Sequence, residues 1–147
     1  MQQFKKNIIQ KLSSNQLKIE FTFLFIFIIG LLLFDNRIDI GVSLIILSLG
    51  SIANVYFFLA FQFSNSKEVG KIFLNKLTYI SITISIIGIM FSILNWPNAH
   101  KMLLVGLFAL IISLLASIIL RLKKKEKIID IEIFRMIVVI SIVLSVY

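Results

Sequence analysis

Residues 102–120 read MLLVGLFALIISLLASIIL and contain no charged, amide or histidine side chain. A helix over this stretch would be about 28 Å long, close to the roughly 30 Å of a bilayer's hydrocarbon core. Because a helix satisfies its own backbone hydrogen bonds, such a run is typical of a transmembrane helix. Similar runs, with charges only near their ends, cover residues 19–34, 40–61 and 77–94. The sequence therefore predicts an all-α integral membrane bundle with four spans.

A fifth apolar segment, residues 128–147, is less uniform. Asp130, Glu132 and Arg135 lie in its first third, and an uninterrupted apolar run follows. Glu132 and Arg135 are three residues apart and would be neighbours on a helix. We interpret the segment as a fifth transmembrane helix whose charges contact the preceding lysines or a partner subunit.

These segments divide the chain into three parts. Residues 1–18 are expected to form a cytoplasmic N-terminal segment, either an amphipathic helix or a disordered tail. Residues 19–122 contain the four spans as two helical hairpins, and residues 123–147 contain a basic linker and the fifth helix. Near the first span, Lys18 and Glu20 are expected to extend their charges into water.

The composition indicates a membrane protein without a catalytic or cofactor site. Hydrophobic residues make up 59% of the 147 positions and charged residues 15%, against about 25% in soluble domains. The chain has no cysteine and one histidine, His100, so we expect no metal site and no cofactor. It contains no HExxH, GxSxG or Walker motif, and we predict that it is not an enzyme.

The positive charges predict the orientation in the membrane. Arg37 and Lys101 are the only cations in the loops after the first and third spans, whereas most of the 15 lysines and arginines lie on the other side. The positive-inside rule then predicts a cytoplasmic N-terminus in a bacterial inner membrane, and an external C-terminus if the fifth segment spans. This topology accounts for the net charge of +8, so we expect no nucleic-acid partner.

Two of the predicted helices carry small side chains along one face, spaced by three or four residues. Small residues let helix backbones approach closely in lipid, so these faces are expected to pack on each other. The residues are Ser81, Ser85, Gly88 and Ser92 in the third helix, and Gly106, Ala109, Ser113 and Ala116 in the fourth.

A weaker stripe lies on the second predicted helix. It consists of Ser43, Gly50 and Asn54, and Asn54 is a strongly polar side chain at membrane depth. We expect its amide to form an interhelical hydrogen bond or a partner contact rather than to bind a transported substrate.

The turn after the third span is Asn95, Trp96, Pro97 and Asn98. Pro97 fixes its own φ and disfavours helical geometry at the preceding residue, so the third helix is expected to end before it. Trp96 is expected at headgroup depth on the external side.

Residues 86–120 carry a resemblance around this turn: Gly88-x-x-Phe91, then Asn95-Trp96-Pro97-Asn98-Ala99, then Met102-Leu103-x-x-Gly106. The pattern resembles the transmembrane hairpin of the two-helix inner-membrane motor subunit of Bacteroidota gliding motility and type IX secretion, and of related small membrane proteins. In that family the resemblance implies a proton-driven stator with an acidic residue in the helix after the turn. Residues 102–120 contain no acidic residue, so the resemblance implies a packing hairpin of bacterial lineage and no proton chemistry.

The leading functional hypothesis is a small accessory or structural subunit of a larger inner-membrane assembly. Its expected partners are the lipid bilayer and either other membrane protein subunits or further copies of the chain. The alternative is a membrane-perturbing or channel-forming oligomer, such as a toxin or defence effector, or the immunity protein that opposes one. A small transporter is the third hypothesis, and it ranks last because too few polar groups lie at membrane depth to bind a substrate.

Overall fold

The computed structural model describes residues 14–61, 69–124 and 131–147. The described residues form a bundle of α-helices, which confirms the predicted fold class. Four of them, α1 to α4, are long and apolar enough to cross a membrane. The helices are α1 (Gln16–Asp35), α2 (Ile40–Ala60), α3 (Val69–Ile93), α4 (Ala99–Lys124) and α5 (Ile131–Val146).

The helix limits lie within three residues of the apolar segments at the tight turns, and α3 and α4 extend well beyond their segments at the opposite end. α3 begins at Val69, although its apolar segment begins at residue 77, and α4 continues to Lys124. In both helices the backbone therefore stays helical beyond the apolar run, over additional helical turns that contain lysines. Most of the predicted N-terminal segment, and Asp130 near the start of the fifth apolar segment, lie outside the described residues.

The bundle has two chemically different ends. We call the end where α1, α3 and α5 begin the basic end, since most lysines and arginines lie there. We call the other end the turn end, since it holds the tight turns between α1 and α2 and between α3 and α4.

Both tight turns begin with the same helix-ending hydrogen bonds. After α1, the amide N–H of Ile38 donates to the Leu33 carbonyl at 2.9 Å and that of Arg37 to the Phe34 carbonyl at 3.0 Å. This pair of bonds is the Schellman motif, which needs a left-handed residue after the helix. Arg37 fills that position with φ 58°, where glycine is more usual.

The turn after α3 repeats the motif with an asparagine. The amide of Trp96 donates to the Phe91 carbonyl at 2.8 Å, and Asn95 has φ 53°. The Trp96 and Phe91 rings meet edge to face with centroids 4.9 Å apart, which is the apolar contact that accompanies this motif. α3 therefore ends before Pro97, as predicted. Asn98 is left-handed too, with φ 63°.

α3 lies in the middle of the bundle and packs on α2, α4 and α5. α1 packs on α2 and has only Gln16 and Gly30 buried, so most of its surface faces outward. The phenyl rings of Phe21 and Phe25 are 70% and 66% exposed, as expected for side chains that contact lipid.

Glycines set the closest approaches between neighbouring helices. A Cβ on Gly106 would lie 3.0 Å from the Cα of Ser85, and one on Gly88 would lie 3.1 Å from the backbone nitrogen of Leu103. The small-residue faces of α3 and α4 therefore lie against each other. The other hairpin has an equivalent contact, because a Cβ on Gly41 would lie 2.8 Å from the Cα of Phe34.

α5 runs along the bundle from one end to the other. At the basic end, Glu132 lies 3.8 Å from the guanidinium of Arg121. At the turn end, Tyr147 stacks on His100 with ring centroids 4.0 Å apart. The 16 residues of α5 cover about 24 Å, against the roughly 30 Å of a bilayer's hydrocarbon core. α5 is therefore shorter than the four helices that are long enough to cross a membrane.

Candidate functional site

Glu20 is the centre of a hydrogen-bond network at the basic end. Its carboxylate accepts from the Tyr56 hydroxyl at 2.6 Å, from the Gln16 amide at 2.9 Å and from Nη2 of Arg135 at 3.2 Å. Side chains of Glu20 and Arg135 are only 15% and 12% exposed. The ion pair is therefore largely shielded from solvent. Replacing one partner of such a pair is costly, because the other charge stays buried without compensation.

A second branch of this network connects α3, α4 and α5. The Tyr79 hydroxyl donates to Glu132 at 3.5 Å, and Glu132 also faces Arg121. The rings of Tyr56 and Tyr79 lie 6.0 Å apart, so the two branches are in contact. We call this set the basic-end network; it draws on all five helices and consists of Gln16, Glu20, Tyr56, Tyr79, Arg121, Glu132 and Arg135.

In the basic-end network the negative charges of two carboxylates balance the positive charges of two guanidiniums. Glu20 does not extend into water, contrary to the sequence-based expectation, because Tyr56, Gln16 and Arg135 all donate hydrogen bonds to it inside the bundle. Glu132 and Arg135 were expected to contact the preceding lysines or a partner subunit. In the structure they pair with Arg121 and Glu20, on two other helices of the bundle. The arrangement is suited to holding helices together.

An apolar cleft lies beside this network, between α1 and α5, with α2 and α3 as its floor. We call it the lateral cleft. Its volume is about 480 Å³, and Leu24, Ile52, Ile89 and Val139 are among the side chains that line it. Glu20 and Arg135 line its basic end, where their ion pair bridges α1 and α5.

The predicted stripe on α2 faces away from the bundle. Ser43 and Asn54 are exposed, and a Cβ on Gly50 would meet nothing within 4 Å. Among the described residues Asn54 has no hydrogen-bond partner, so the expected interhelical bond is not formed with another helix of this chain. We call Ser43, Gly50 and Asn54 the outer face of α2.

The small-residue faces of α3 and α4 are buried rather than water-lined. Ser81, Ser85 and Ser113 are fully buried, and the hydroxyls of Thr78 and Ser113 are hydrogen-bonded across the two helices. Ser81 donates back to the carbonyl of its own helix at Leu77. Gly88 and Gly106 are buried as well, whereas Ser92, Ala109 and Ala116 are half-buried.

Within the described residues, no group of three or more histidine, aspartate or glutamate side chains is placed to hold a metal ion.

In the second turn, Trp96 is 40% exposed at the turn end, in the position that an interfacial tryptophan would take.

Comparison with known proteins found no match: no protein-family model, curated protein or solved structure is similar to this chain. The chain's own geometry therefore carries the functional argument.

Sequence reasoning missed Tyr56, Tyr79 and Gln16 as members of a network, because their partners are distant in the chain. Glu20 and Arg135 are 115 residues apart. One signal was present: Glu20 lies at the start of the first apolar segment and Arg135 in the first half of the fifth, at the same end of the bundle, where an unpaired charge would be costly.

Proposed function

We propose that this chain is a non-catalytic accessory or structural subunit of a larger assembly in the bacterial inner membrane. The observation that carries the proposal is the outer face of α2, and above all Asn54. In this assembly the basic end faces the cytoplasm, as the distribution of lysines and arginines predicts.

Asn54 lies well inside the apolar part of α2. It is six residues before Ala60, which is about 9 Å along the helix axis. An amide exposed to hydrocarbon loses its water partners, and an unsatisfied polar group there costs several kcal/mol. A helix from another subunit that offers a hydrogen-bonding side chain at this depth would recover that cost.

Gly50 makes such a partner helix easier to accommodate. One turn from Asn54, it leaves a shallow depression on α2 because no side chain of the bundle covers it. Close backbone approach at small residues, combined with a polar contact, is how membrane helices associate in the absence of a hydrophobic driving force. The outer face of α2 offers both features side by side.

The channel-forming alternative would need a hydrated path. The serines that could line one, Ser81 and Ser85, are both fully buried against neighbouring helices. Gly106 lies directly against Ser85, which leaves no room for water between α3 and α4 at that level. A pore would have to form between several copies, and the packing within one chain does not favour it.

Site-specific photocrosslinking in native membranes tests the proposal. A photoreactive amino acid at Asn54 should give crosslinks to a membrane protein, which mass spectrometry of the product identifies. The same probe at Phe25, on the lipid-facing surface of α1, serves as the matched control and should give lipid adducts only.

A second variant connects the crosslink to the outer face of α2. Gly50→Leu fills the depression and should abolish the Asn54 crosslink while the bundle keeps its thermal stability. Absence of protein crosslinks from every position on this face would contradict the proposal. Crosslinks to a second copy alone, together with ion currents from the purified chain in planar bilayers, would favour the channel-forming alternative.

A further inference from the structure

The lateral cleft has the length of a lipid chain. On α1 it runs from Glu20 to Leu31, eleven residues or about 16 Å of helix. One leaflet of a bilayer contributes about half of the roughly 30 Å hydrocarbon core. On α5 the rim residues Val138 and Ile142 are 39% and 41% exposed, so the cleft opens sideways to the bilayer.

The walls suit a flexible chain better than a helix. None of the lining residues is glycine, alanine or serine, the types that let another helix approach closely. A helix with its side chains is about 10 to 12 Å across. The Glu20–Arg135 ion pair, at 3.2 Å, bridges α1 and α5 at the basic end, so a helix could not lie along the whole cleft.

The basic end of the cleft keeps one unused polar group. Nε of Arg135 is buried and has no hydrogen-bond partner, although Nη2 of the same guanidinium contacts Glu20. Buried donors without an acceptor are rare in stable proteins. A phosphate oxygen is a strong acceptor for a guanidinium N–H.

We propose that the lateral cleft binds one acyl chain of a phospholipid from the leaflet at the basic end, with the phosphate beside Arg135. The acyl chain fills the apolar cleft, and the phosphate offers an acceptor to the part of the Arg135 guanidinium that lines the cleft. This lipid binds at a site distinct from the outer face of α2, since the cleft opens between α1 and α5.

A photoactivatable phosphatidylglycerol with a diazirine in its acyl chain tests the site. With the full chain reconstituted in liposomes, peptide mapping should place the labels on cleft residues such as Leu24, Ile52 and Val139. Excess unlabelled phosphatidylglycerol should compete. A diazirine fatty alcohol of the same chain length, which has no phosphate, should label these positions less.

Two substitutions on α5 provide the matched pair. Ile142→Trp fills the cleft from its rim and should abolish cleft labelling. Leu144→Trp adds the same bulk at an exposed position that does not line the cleft, and should leave labelling unchanged. Both positions are open to the bilayer, so both variants should fold, as circular dichroism verifies.

Labelling spread evenly over all lipid-facing helices, or unchanged in Ile142→Trp, would overturn the site. Equal labelling by the alcohol and the phospholipid would overturn the role of the phosphate and of Arg135.

Discussion

Breaking the Glu20–Arg135 ion pair from one side should destabilise the bundle much more than removing both partners. Glu20→Gln keeps an oxygen that can accept from Tyr56 and removes the charge that faces Arg135. The guanidinium is only 12% exposed, so it would be left as a nearly buried, uncompensated cation. Loss of one partner of such a pair costs about 3 to 5 kcal/mol.

The reverse substitution, Arg135→Met, should cost a similar amount, because it leaves the Glu20 carboxylate without its cation. The double variant Glu20→Gln/Arg135→Met replaces the pair by neutral side chains of similar volume. Such replacements are often neutral or even stabilising, so the double variant should be far more stable than the sum of the single effects predicts.

The assay is reversible unfolding in mixed micelles with increasing sodium dodecyl sulfate. Circular dichroism follows the helices, and the fluorescence of Trp96, the single tryptophan, follows the turn end. Glu132→Gln is the matched control: its side chain is 34% exposed and lies 3.8 Å from Arg121, so its loss should cost less than about 1 kcal/mol. If the double variant loses as much as both single variants together, the ion pair does not act as described.

Three further predictions concern packing, orientation and the second turn. Gly106→Leu should lower the unfolding free energy by at least about 1 to 3 kcal/mol through overpacking against α3, whereas Gly50→Leu, which meets open space, should change it little; equal losses would show that the helix faces are assigned wrongly. In intact cells, an impermeant thiol reagent should label Asn36→Cys and not Ser14→Cys, since the basic end is expected in the cytoplasm; the opposite pattern would reverse the orientation. Asn98→Ala should cost about 1 kcal/mol in the same unfolding assay, whereas Asn98→Gly should not, because φ 63° suits glycine and strains alanine; identical effects would contradict this account.

The membrane helices were predictable because their signal is local. The apolar run at residues 102–120 predicts a helix, and Pro97 predicts where α3 ends. Both predictions depend on adjacent residues alone. Gly88 and Gly106 were also accessible, because helical spacing put each of them on a small-residue face. The first residue of α3 was not predictable, because the apolar pattern indicates which residues lie in the bilayer and not where the helical backbone begins.

The basic-end network could not be predicted from spacing. Glu132 and Arg135 are well placed to pair along one helix, yet each finds a partner on a different helix once the bundle forms. The outer face of α2 was recognised as a stripe, but its direction depends on which side of α2 the buried residues Ile45 and Ile52 occupy. Only the packed structure determines that choice.

The long sequence separation of the Glu20–Arg135 pair has a consequence for biogenesis. Glu20 is made with α1, whereas Arg135 belongs to α5, 115 residues later. Until α5 inserts, the carboxylate has no cationic partner, and α1 is stable only if Glu20 stays near the headgroups. Once α5 is in place, the ion pair ties α1 to α5, so we expect an arrested chain without α5 to keep α1 loosely attached and open to quality-control proteolysis.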